Sequence, residues 1–268
     1  MKDETTIKLN LEKNLKKIKH KIIVLSGKGG VGKSTISANL AVMLADKGYK
    51  VGILDSDLHG PSIPKLLGIE TKKPMVTDTG IQPVFAMPNL EVMSIAFLLQ
   101  DKDSPVIWRG PLKMGAIKQL IGGVEWGNLD YLIVDLPPGT GDEPLSILQI
   151  IKDNDGAIIV TTPQDVALLS VRKSINFVRK MNVPVIGIIE NMSSFTCPHC
   201  NRTINIFKTG GGLKASMDLN VPFLGNIPLD PEIVEKGDLG ITIFSKNKKS
   251  ATMNAFIGII KKIEEKNK

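Results

Sequence analysis

The chain has little cysteine, few aromatic residues and no long apolar run, and these shortages exclude several classes of protein. Its 268 residues include two cysteines, too few for a disulfide framework, which uses more pairs at wider spacing. The longest apolar stretches, such as 22–25 and 157–160, are far shorter than the ~20 residues of a membrane helix. The first 21 residues are charged and resemble no secretory signal. We therefore expect a cytoplasmic protein without a membrane partner.

Positive charge is concentrated at the two ends of the chain, although the formal net charge is +7. Residues 1–21 carry seven lysines against three acids, and residues 246–268 carry seven lysines against two acids. The rest of the chain is slightly acidic. Because a basic excess confined to the ends is typical of solvated tails and not of a groove for phosphates, we expect no nucleic-acid partner.

Short runs of β-branched and aliphatic residues recur at intervals that leave room for helices between them. They occur at 22–26, 51–55, 131–135, 157–161 and 185–190. This rhythm predicts an α/β fold with a mostly parallel sheet. Since each run is apolar throughout, helices should cover both faces of the sheet. We interpret residues 1–20 as a lysine-rich tail and residues 21–268 as a single domain.

Two stretches depart from this rhythm. Residues 71–90 contain Pro74, Pro83 and Pro88, which exclude a long helix or a central strand, so we expect an irregular excursion with short strands. Residues 191–212 are polar and end in three glycines, and we expect a long loop there. Long loops in compact domains often carry function.

One glycine-rich stretch matches the pattern G-x-x-x-x-G-K-[ST] of a phosphate-binding loop. It follows a predicted strand and opens a predicted helix, which is the context that the motif requires. Its glycines allow backbone N–H groups to face the phosphates, and the helix start adds free amides and a positive dipole end. The predicted ATP site comprises Gly27, Lys28, Gly29, Gly30, Val31, Gly32, Lys33, Ser34 and Thr35.

Individual residues have distinct predicted roles in this site. Lys33 should contact the β- and γ-phosphates, and the hydroxyl of Ser34, with Thr35 beside it, should bind Mg²⁺. Asp135 ends an apolar strand and is the candidate Walker-B acid that holds Mg²⁺ from the other side. Asp57 lies just after another strand end, and we assign it to the attacking water.

Two further features suit nucleotide hydrolysis. Residues 136–142 contain two prolines, which restrict the backbone, and two glycines, which leave it free to change conformation. This combination suits a switch that responds to the γ-phosphate. Lys28 is a second lysine within the phosphate loop. It is either an exposed surface residue or a cation that reaches the transition-state charge across a dimer interface, as an arginine finger does.

The stretch 28–35 resembles the deviant phosphate loop of the ATPase group that includes MinD, ParA, the nitrogenase iron protein and the Mrp family. Further motifs resemble Mrp proteins in particular, and they occur in the right order: Asp55-Ser-Asp-Leu-His-Gly-Pro-Ser62, Trp108-Arg-Gly-Pro111, Trp126 to Asp142, and Asn191 to Cys200. The chain is thus similar to the Mrp/ApbC family of iron-sulfur cluster carrier ATPases, whose members hold a transferable cluster between two subunits.

The resemblance implies roles for the matching residues. It makes Lys28 the signature lysine that acts in trans, and Asp57 the acid of switch I. It also makes Asn191 an adenine contact, with the loop 226–231, which includes Pro228, closing over the base. Many members carry a cysteine-bearing N-terminal extension, whereas the first 20 residues here contain no cysteine, so we expect no N-terminal cluster.

Cys197 and Cys200 form a C-x-x-C pair, which serves zinc, iron-sulfur or redox chemistry in different proteins. Two thiolates do not complete a four-ligand site, but a symmetric dimer would bring four sulfurs to one centre. We therefore expect a 4Fe-4S cluster shared between the subunits of a homodimer and labile enough to be transferred. A zinc site with one more donor and a thioredoxin-like redox pair remain alternatives.

The sequence as a whole predicts an enzyme that hydrolyses ATP slowly, with Lys28, Lys33 and Asp57 as catalytic residues. Its cofactors would be ATP, Mg²⁺ and a 4Fe-4S cluster, which it receives from a cluster donor and passes to apo iron-sulfur proteins. A second hypothesis is a MinD- or ParA-like spatial organiser that dimerises with ATP on membrane or DNA. We expect the apolar face of the C-terminal segment, formed by Met253, Phe256, Ile257, Ile260 and Ile263, to pack on the domain and not on a membrane.

Overall fold

The computed structural model describes residues 11–99, 110–197, 199–200, 202–241 and 250–267, with only the backbone described at 110–113. The strands are β1 (Ile18–Leu25), β2 (Val51–Asp55), β3 (Met75–Val76), β4 (Ile81–Gln82), β5 (Val84–Met87), β6 (Leu90–Ser94), β7 (Leu129–Asp135), β8 (Gly156–Thr161), β9 (Val185–Glu190), β10 (Phe195–Thr196), β11 (Thr203–Ile204) and β12 (Phe223–Asn226). The helices are α1 (Lys33–Asp46), α2 (Ile63–Leu66), α3 (Gly110–Gly122), α4 (Asp142–Ile150), α5 (Asp165–Lys180), α6 (Gly211–Leu219), α7 (Pro231–Asp238) and α8 (Ala251–Lys266).

Eight strands form one sheet in the order β12-β9-β8-β1-β7-β2-β6-β5, and only the β5–β6 pair is antiparallel. Every residue of β2 and β8 is buried. Because successive side chains of a strand point to opposite faces, both faces of the sheet must be covered. The predicted α/β fold with a mostly parallel sheet is confirmed, and the short strands β3, β4 and β5 occupy the predicted excursion at 71–90.

The sheet begins earlier than the sequence indicated. Ile18 is buried in the core, whereas Lys19 and His20 lie beside the carboxylates of Asp130 and Asp155, at 2.7 and 3.0 Å. Residues 11–15 are helical, and their two leucines pack against the core. Residues 11–20 are therefore part of the fold and not a tail, because Lys19 and His20 have partners on neighbouring segments and the apolar side chains pack against the core. The rest of the predicted tail, residues 1–10, lies outside the described residues.

Two other segments differ in detail from the prediction. Within 191–212, strands β10 and β11 form a small antiparallel hairpin, so this segment is not wholly irregular. On α8, Phe256, Ile260 and Ile263 are buried as predicted, but Ile257 is half exposed and Ile259 is buried in its place. The helix packs on the domain, and no helix among the described residues is both long and apolar enough to cross a membrane.

Glu91 on β6 makes the stability of the fold depend on pH. Burial raises the pKa of Glu91 from 4.5 to about 7, against the opposing charge of Lys50. Among the described residues its buried Oε2 has no hydrogen-bond partner. Because the folded-state pKa is raised, the folded chain favours the protonated acid. The contribution of Glu91 to stability is therefore complete below pH 4.5 and is lost as the pH rises through 7.

We expect Glu91→Gln to stabilise the fold at pH 8 and to have little effect at pH 5. After allowance for its remaining contact with solvent, the gain at pH 8 should be roughly 1 kcal/mol. Thermal unfolding at both pH values measures this difference, with the exposed acid Glu265, changed to Gln, as control. An equal effect of Glu91→Gln at pH 5 and pH 8 would contradict the assignment.

Candidate functional site

The predicted phosphate-binding loop connects β1 to α1, and its last glycine packs against the end of β9. Gly32 has φ of 80°, and a Cβ atom there would lie 2.2 Å from Nδ2 of Asn191. That nitrogen donates a hydrogen bond to the carbonyl of Val31 at 2.9 Å. Only glycine meets both the left-handed backbone and the close approach. Asn191, the predicted adenine contact, follows Val31 by 160 residues in the sequence, and the fold brings it into contact with the phosphate-binding loop.

A fully buried carboxylate lies directly behind this loop. Oδ2 of Asp135, at the end of β7, accepts hydrogen bonds from Nζ of Lys33 at 2.7 Å and from Oγ of Ser34 at 2.6 Å. Three residues that the sequence placed in one site are thus in contact. The ammonium of Lys33 compensates the buried negative charge, which would otherwise be costly.

Ser37 completes the environment of this carboxylate, and sequence reasoning missed it. Its buried Oγ lies 2.6 Å from Oδ1 of Asp135 and 3.1 Å from the carbonyl of Lys33. The available signal was one of two polar residues, with Asn39, in the mostly apolar run 36–45. Residues four apart on a helix share a face, so Ser37 points to the same strand end as Lys33.

We expect Ser37→Ala to weaken binding of Mg²⁺-ATP by about tenfold, because removing a residue that orients a metal-binding carboxylate typically costs this much. Asp135 would lose a donor to Oδ1 and could rotate. Isothermal titration with Mg²⁺-ATP measures the change. Ser174→Ala is the matched control, since this buried helical serine bonds the carbonyl of Ser170 in its own helix. Unchanged affinity in Ser37→Ala would rule out the orienting role.

A second buried acid, Asp55, lies next to Asp135 at the neighbouring strand end, where their Cα atoms are register partners. Burial, and then the negative charge of Asp135, raise the pKa of Asp55 to about 7. Its Oδ2 accepts hydrogen bonds from Oγ of Ser94 at 3.0 Å and from the N–H of Ile63 at 3.2 Å. Asp55 precedes the loop 56–62 and Ile63 follows it, so this hydrogen bond closes the loop at its base. Sequence reasoning missed Ser94 as its partner.

Asp57 lies on this loop, and its carboxylate stabilises the loop itself. Oδ1 accepts the N–H groups of His59 and Gly60, both at 3.1 Å. Nε2 of His59 lies 3.2 Å from Oε1 of Glu143, which follows the predicted switch segment 136–142. The loop after β2 therefore contacts the first turn of α4, directly after the predicted switch segment. The role of Asp57 at the attacking water stays a prediction.

Lys28 is half-buried, and its Nζ lies 3.2 Å from Oε1 of Gln164 in the loop after β8. The lysine thus has a partner within its own chain. Its action in trans stays a prediction.

The loop that contains Pro228 is attached to the segment after β9. The N–H of Ile227 donates to the carbonyl of Glu190 at 2.8 Å, and the N–H of Leu229 donates to the carbonyl of Ser194 at 2.7 Å. Pro228 therefore lies close in space to the segment that carries Asn191. This arrangement suits the base-binding roles predicted for both residues, which stay predictions.

The two cysteines lie at the turn of the β10–β11 hairpin as free thiols, Cys197 half-exposed and Cys200 exposed. The N–H of Cys197 donates to the carbonyl of Arg202 at 2.9 Å. The N–H groups of His199 and Cys200, followed by the thiol of Cys200, hold the pKa of Cys197 below its usual range. Thiolate is the form that binds metals, so this turn favours metal binding.

This thiol pair does not form a complete metal site within one chain. In the part of the chain that the structure describes, no group of three or more His, Cys, Asp or Glu side chains could hold a metal ion. A zinc site with a further His, Cys, Asp or Glu from the same chain is therefore not found among these residues. Two thiolates remain, which is half of the usual set for zinc or an iron-sulfur cluster.

Comparison with known proteins gives consistent relatives. The family model described as "ParA: NUBPL iron-transfer P-loop NTPase" matches residues 17–264. The chain is 54% identical to the "Iron-sulfur cluster carrier protein" of Methanocaldococcus jannaschii, over 96% of this chain and 88% of the relative. It is 52% identical to the "Cytosolic Fe-S cluster assembly factor NUBP2 homolog" of Dictyostelium discoideum, over 88% of this chain and 91% of the relative.

Solved structures agree with the fold. One is a nucleotide-binding protein from Archaeoglobus fulgidus in complex with ADP, in which cobalt was found. It superposes with a TM-score of 0.77 at 43% identity, covering 87% of this chain and 91% of that chain. The cell division ATPase MinD of Pyrococcus furiosus superposes with a TM-score of 0.66 at 26% identity, covering 92% of this chain and 99% of that one.

Proposed function

Since the chain belongs to the ParA family of NUBPL iron-transfer P-loop NTPases, we propose that it is an iron-sulfur cluster carrier that binds and slowly hydrolyses ATP. It would take a 4Fe-4S cluster from a donor and deliver it to apo iron-sulfur proteins, in the cytosol. The names of its relatives, which are cluster carriers or cytosolic cluster assembly factors, support this proposal.

The pair Cys197 and Cys200, half-exposed and exposed, is the observation on which the cluster role rests. Both thiols are accessible at the turn of a hairpin, and the pKa of Cys197 is lowered toward the thiolate that binds iron. Because the pair supplies two ligands, we propose that a second copy of the chain supplies the other two across a two-fold axis. A cluster held between two exposed hairpins is accessible to an acceptor protein, which suits transfer.

ATP binding would rearrange the contacts around Asp135. Lys33 and Ser34 share Oδ2 of this carboxylate, and both are the groups that phosphates and Mg²⁺ require in a phosphate-binding loop. Lys33 would leave the carboxylate for the β- and γ-phosphates. The remaining hydroxyl and carboxylate oxygens form the hard donor set that Mg²⁺ prefers, and this ion would neutralise charge on the phosphates.

Hydrolysis would depend on two further groups. Asp57 would orient the attacking water from the loop that Asp55 closes at its base. Lys28 would leave Gln164 and stabilise the charge on the transferred phosphoryl group of a partner chain. Both steps require movement of short loops, which is consistent with slow turnover.

The test is cluster transfer under anaerobic conditions. The chain is reconstituted with iron and sulfide, freed of unbound iron, and mixed with an apo-enzyme whose activity needs a 4Fe-4S cluster. An iron chelator in excess removes free iron. We expect the activity of the acceptor to recover in proportion to the carrier. Failure to bind iron, or binding of zinc alone, would overturn the proposal.

The alternative of a membrane or DNA organiser has less support. The apolar side chains Phe256, Ile260 and Ile263 of α8 are buried against the domain and are not free to enter a bilayer. Cosedimentation with anionic liposomes, with and without ATP, tests this alternative. Nucleotide-dependent pelleting that is lost on deletion of residues 251–268 would favour it.

A further inference from the structure

The carboxylate of Glu190, the last residue of β9, is buried and accepts a backbone N–H group at each of its two oxygens. Its side chain is 1% exposed. Oε1 accepts the N–H of Gly210 at 3.2 Å, and Oε2 accepts the N–H of Gly212 at 2.6 Å. These amides belong to the start of α6, where free N–H groups and the helix dipole stabilise a negative charge. Glu190 therefore fixes the point at which the segment after the cysteines enters a helix.

The glycine triplet at this point is shaped to fit Glu190. Gly210 adopts the left-handed conformation, with φ of 79°. A Cβ atom on Gly211 would lie 2.5 Å from the carbonyl oxygen of Pro163, and one on Gly212 would lie 3.0 Å from Cβ of Glu190. The triplet thus lets α6 approach the ends of β8 and β9 closely enough for the carboxylate to reach both amides.

Asn191, the next residue, holds the phosphate-binding loop. Its side-chain amide donates to the carbonyl of Val31, so neighbouring residues of one strand end hold the start of α6 and the nucleotide loop. A shift of Val31 when phosphates bind would move Asn191. Because Glu190 precedes it in the same rigid strand end, the shift would reach Gly210 and Gly212.

The cysteine hairpin lies between this attachment and a second one. Before the hairpin, the N–H of Ser193 donates to the carbonyl of Ile227 at 3.0 Å, and Phe195 forms a bridge with Leu229. After the hairpin, the chain returns to Glu190 at Gly210. Lys208 also pairs with Asp165 at the start of α5, so residues 195–210 are held at both ends, the second by the buried carboxylate of Glu190 together with this exposed ion pair.

We propose that Glu190 is a positioning residue for the cysteine hairpin, and that with Asn191 it transmits the state of the phosphate-binding loop to Cys197 and Cys200. This inference rests on the proposed cluster site and adds the route by which ATP controls it. The carboxylate is required because both of its oxygens accept N–H groups. Glutamine would place an NH₂ group against one of these donors.

The first test uses the cluster-free chain and hydrogen exchange at residues 205–214. Addition of a non-hydrolysable ATP analogue should slow exchange of the Gly210 and Gly212 amides in the wild type by a few-fold. In Glu190→Gln these amides should exchange about tenfold faster, because a buried bond to a charged acceptor is lost, and the response to nucleotide should disappear. The affinity for the analogue should stay within about twofold, since the direct contact of Asn191 remains.

The control is Asp218→Asn, which removes a carboxylate from the other end of α6, where it pairs with Arg172. This variant should keep the nucleotide response. If Glu190→Gln does not fold, Gly212→Ala is the second variant. Its methyl group would press against the side chain of Glu190 and should also abolish the nucleotide response. The inference would be overturned if nucleotide left amide exchange at 210–212 unchanged in the wild type. It would also be overturned if a folded Glu190→Gln or Gly212→Ala variant kept the nucleotide response.

The second test follows iron loss from the reconstituted chain to a chelator, with and without the analogue. Nucleotide should change the rate of loss several-fold in the wild type, whereas the two rates should be equal in Glu190→Gln. A wild type that binds no iron would defeat the cluster-carrier proposal, while the exchange experiment would still decide whether Glu190 links the two loops. Equal nucleotide effects in both proteins would defeat the link alone.

Discussion

Replacement of Cys197 with Ala is expected to abolish iron-sulfur cluster binding and to leave ATP binding unchanged. In the proposed dimer each chain provides two of four thiolates, so one substitution removes two ligands from the shared centre. The remaining two sulfurs cannot hold a 4Fe-4S cluster. The phosphate-binding loop should be unaffected, because Lys33, Ser34 and Asp135 contact each other and not the hairpin that carries the cysteines.

The measurement is anaerobic reconstitution followed by the visible absorption spectrum and iron analysis. The wild type should bind about four irons per dimer, and both Cys197→Ala and Cys200→Ala should bind none. His199→Ala is the matched control within the same turn, and it should retain the cluster because the proposed ligands are the four thiolates. Loss of ATP binding together with the cluster would contradict two separate sites, and retention of the cluster in Cys197→Ala would exclude the proposed ligand.

Replacement of Lys28 with Ala is expected to lower kcat for ATP hydrolysis by about a thousandfold, as loss of an arginine finger does. The affinity for ATP should change little, because Lys33 and the backbone of the loop bind the phosphates within the same chain. Steady-state phosphate release measures kcat, and binding of a fluorescent ATP analogue measures affinity.

A mixing experiment separates action in trans from action in cis. Lys28→Ala leaves the nucleotide site of its own chain intact, whereas Lys33→Ala destroys that site but still offers Lys28 to its partner. If Lys28 acts in trans, an equal mixture of the two inactive variants should recover about a quarter of wild-type activity, because half of the dimers contain one complete site. The control mixture of Asp57→Asn with Lys33→Ala should stay inactive, since both residues serve the site of their own chain. An inactive first mixture would assign Lys28 to its own chain.

Local sequence patterns predicted the sheet and the phosphate-binding loop because both features depend on residues that are adjacent in the sequence. The apolar runs identified five of the eight strands of the sheet, β1, β2, β7, β8 and β9, but not β6 or β12. The motif at 27–34 has its confirming context on either side. The contacts of Asp135 with Ser37 and of Asp55 with Ser94 join residues 98 and 39 positions apart. No local pattern specifies such pairs, since they depend on strand order and register.

The error in the predicted apolar face of α8 also arose because a local pattern does not contain tertiary contacts. One residue on a helix corresponds to a rotation of about 100°, so a predicted face that included Ile257 and omitted Ile259 was wrong at its margin while the helix itself was right. Likewise, Glu190 appeared in the sequence only as the end of a strand. Its role became visible once the fold brought the glycines at 210–212 against it.

The position of β1 has a consequence for how the chain is made. This strand carries the phosphate-binding loop, yet its neighbours β7 and β8 come more than a hundred residues later. A newly synthesised chain must therefore leave β1 without partners until about half of the protein has emerged. Folding that depends on such distant pairings is slow, and an apolar strand exposed meanwhile is prone to aggregate. Production at reduced temperature or with chaperones should therefore raise the yield of folded protein.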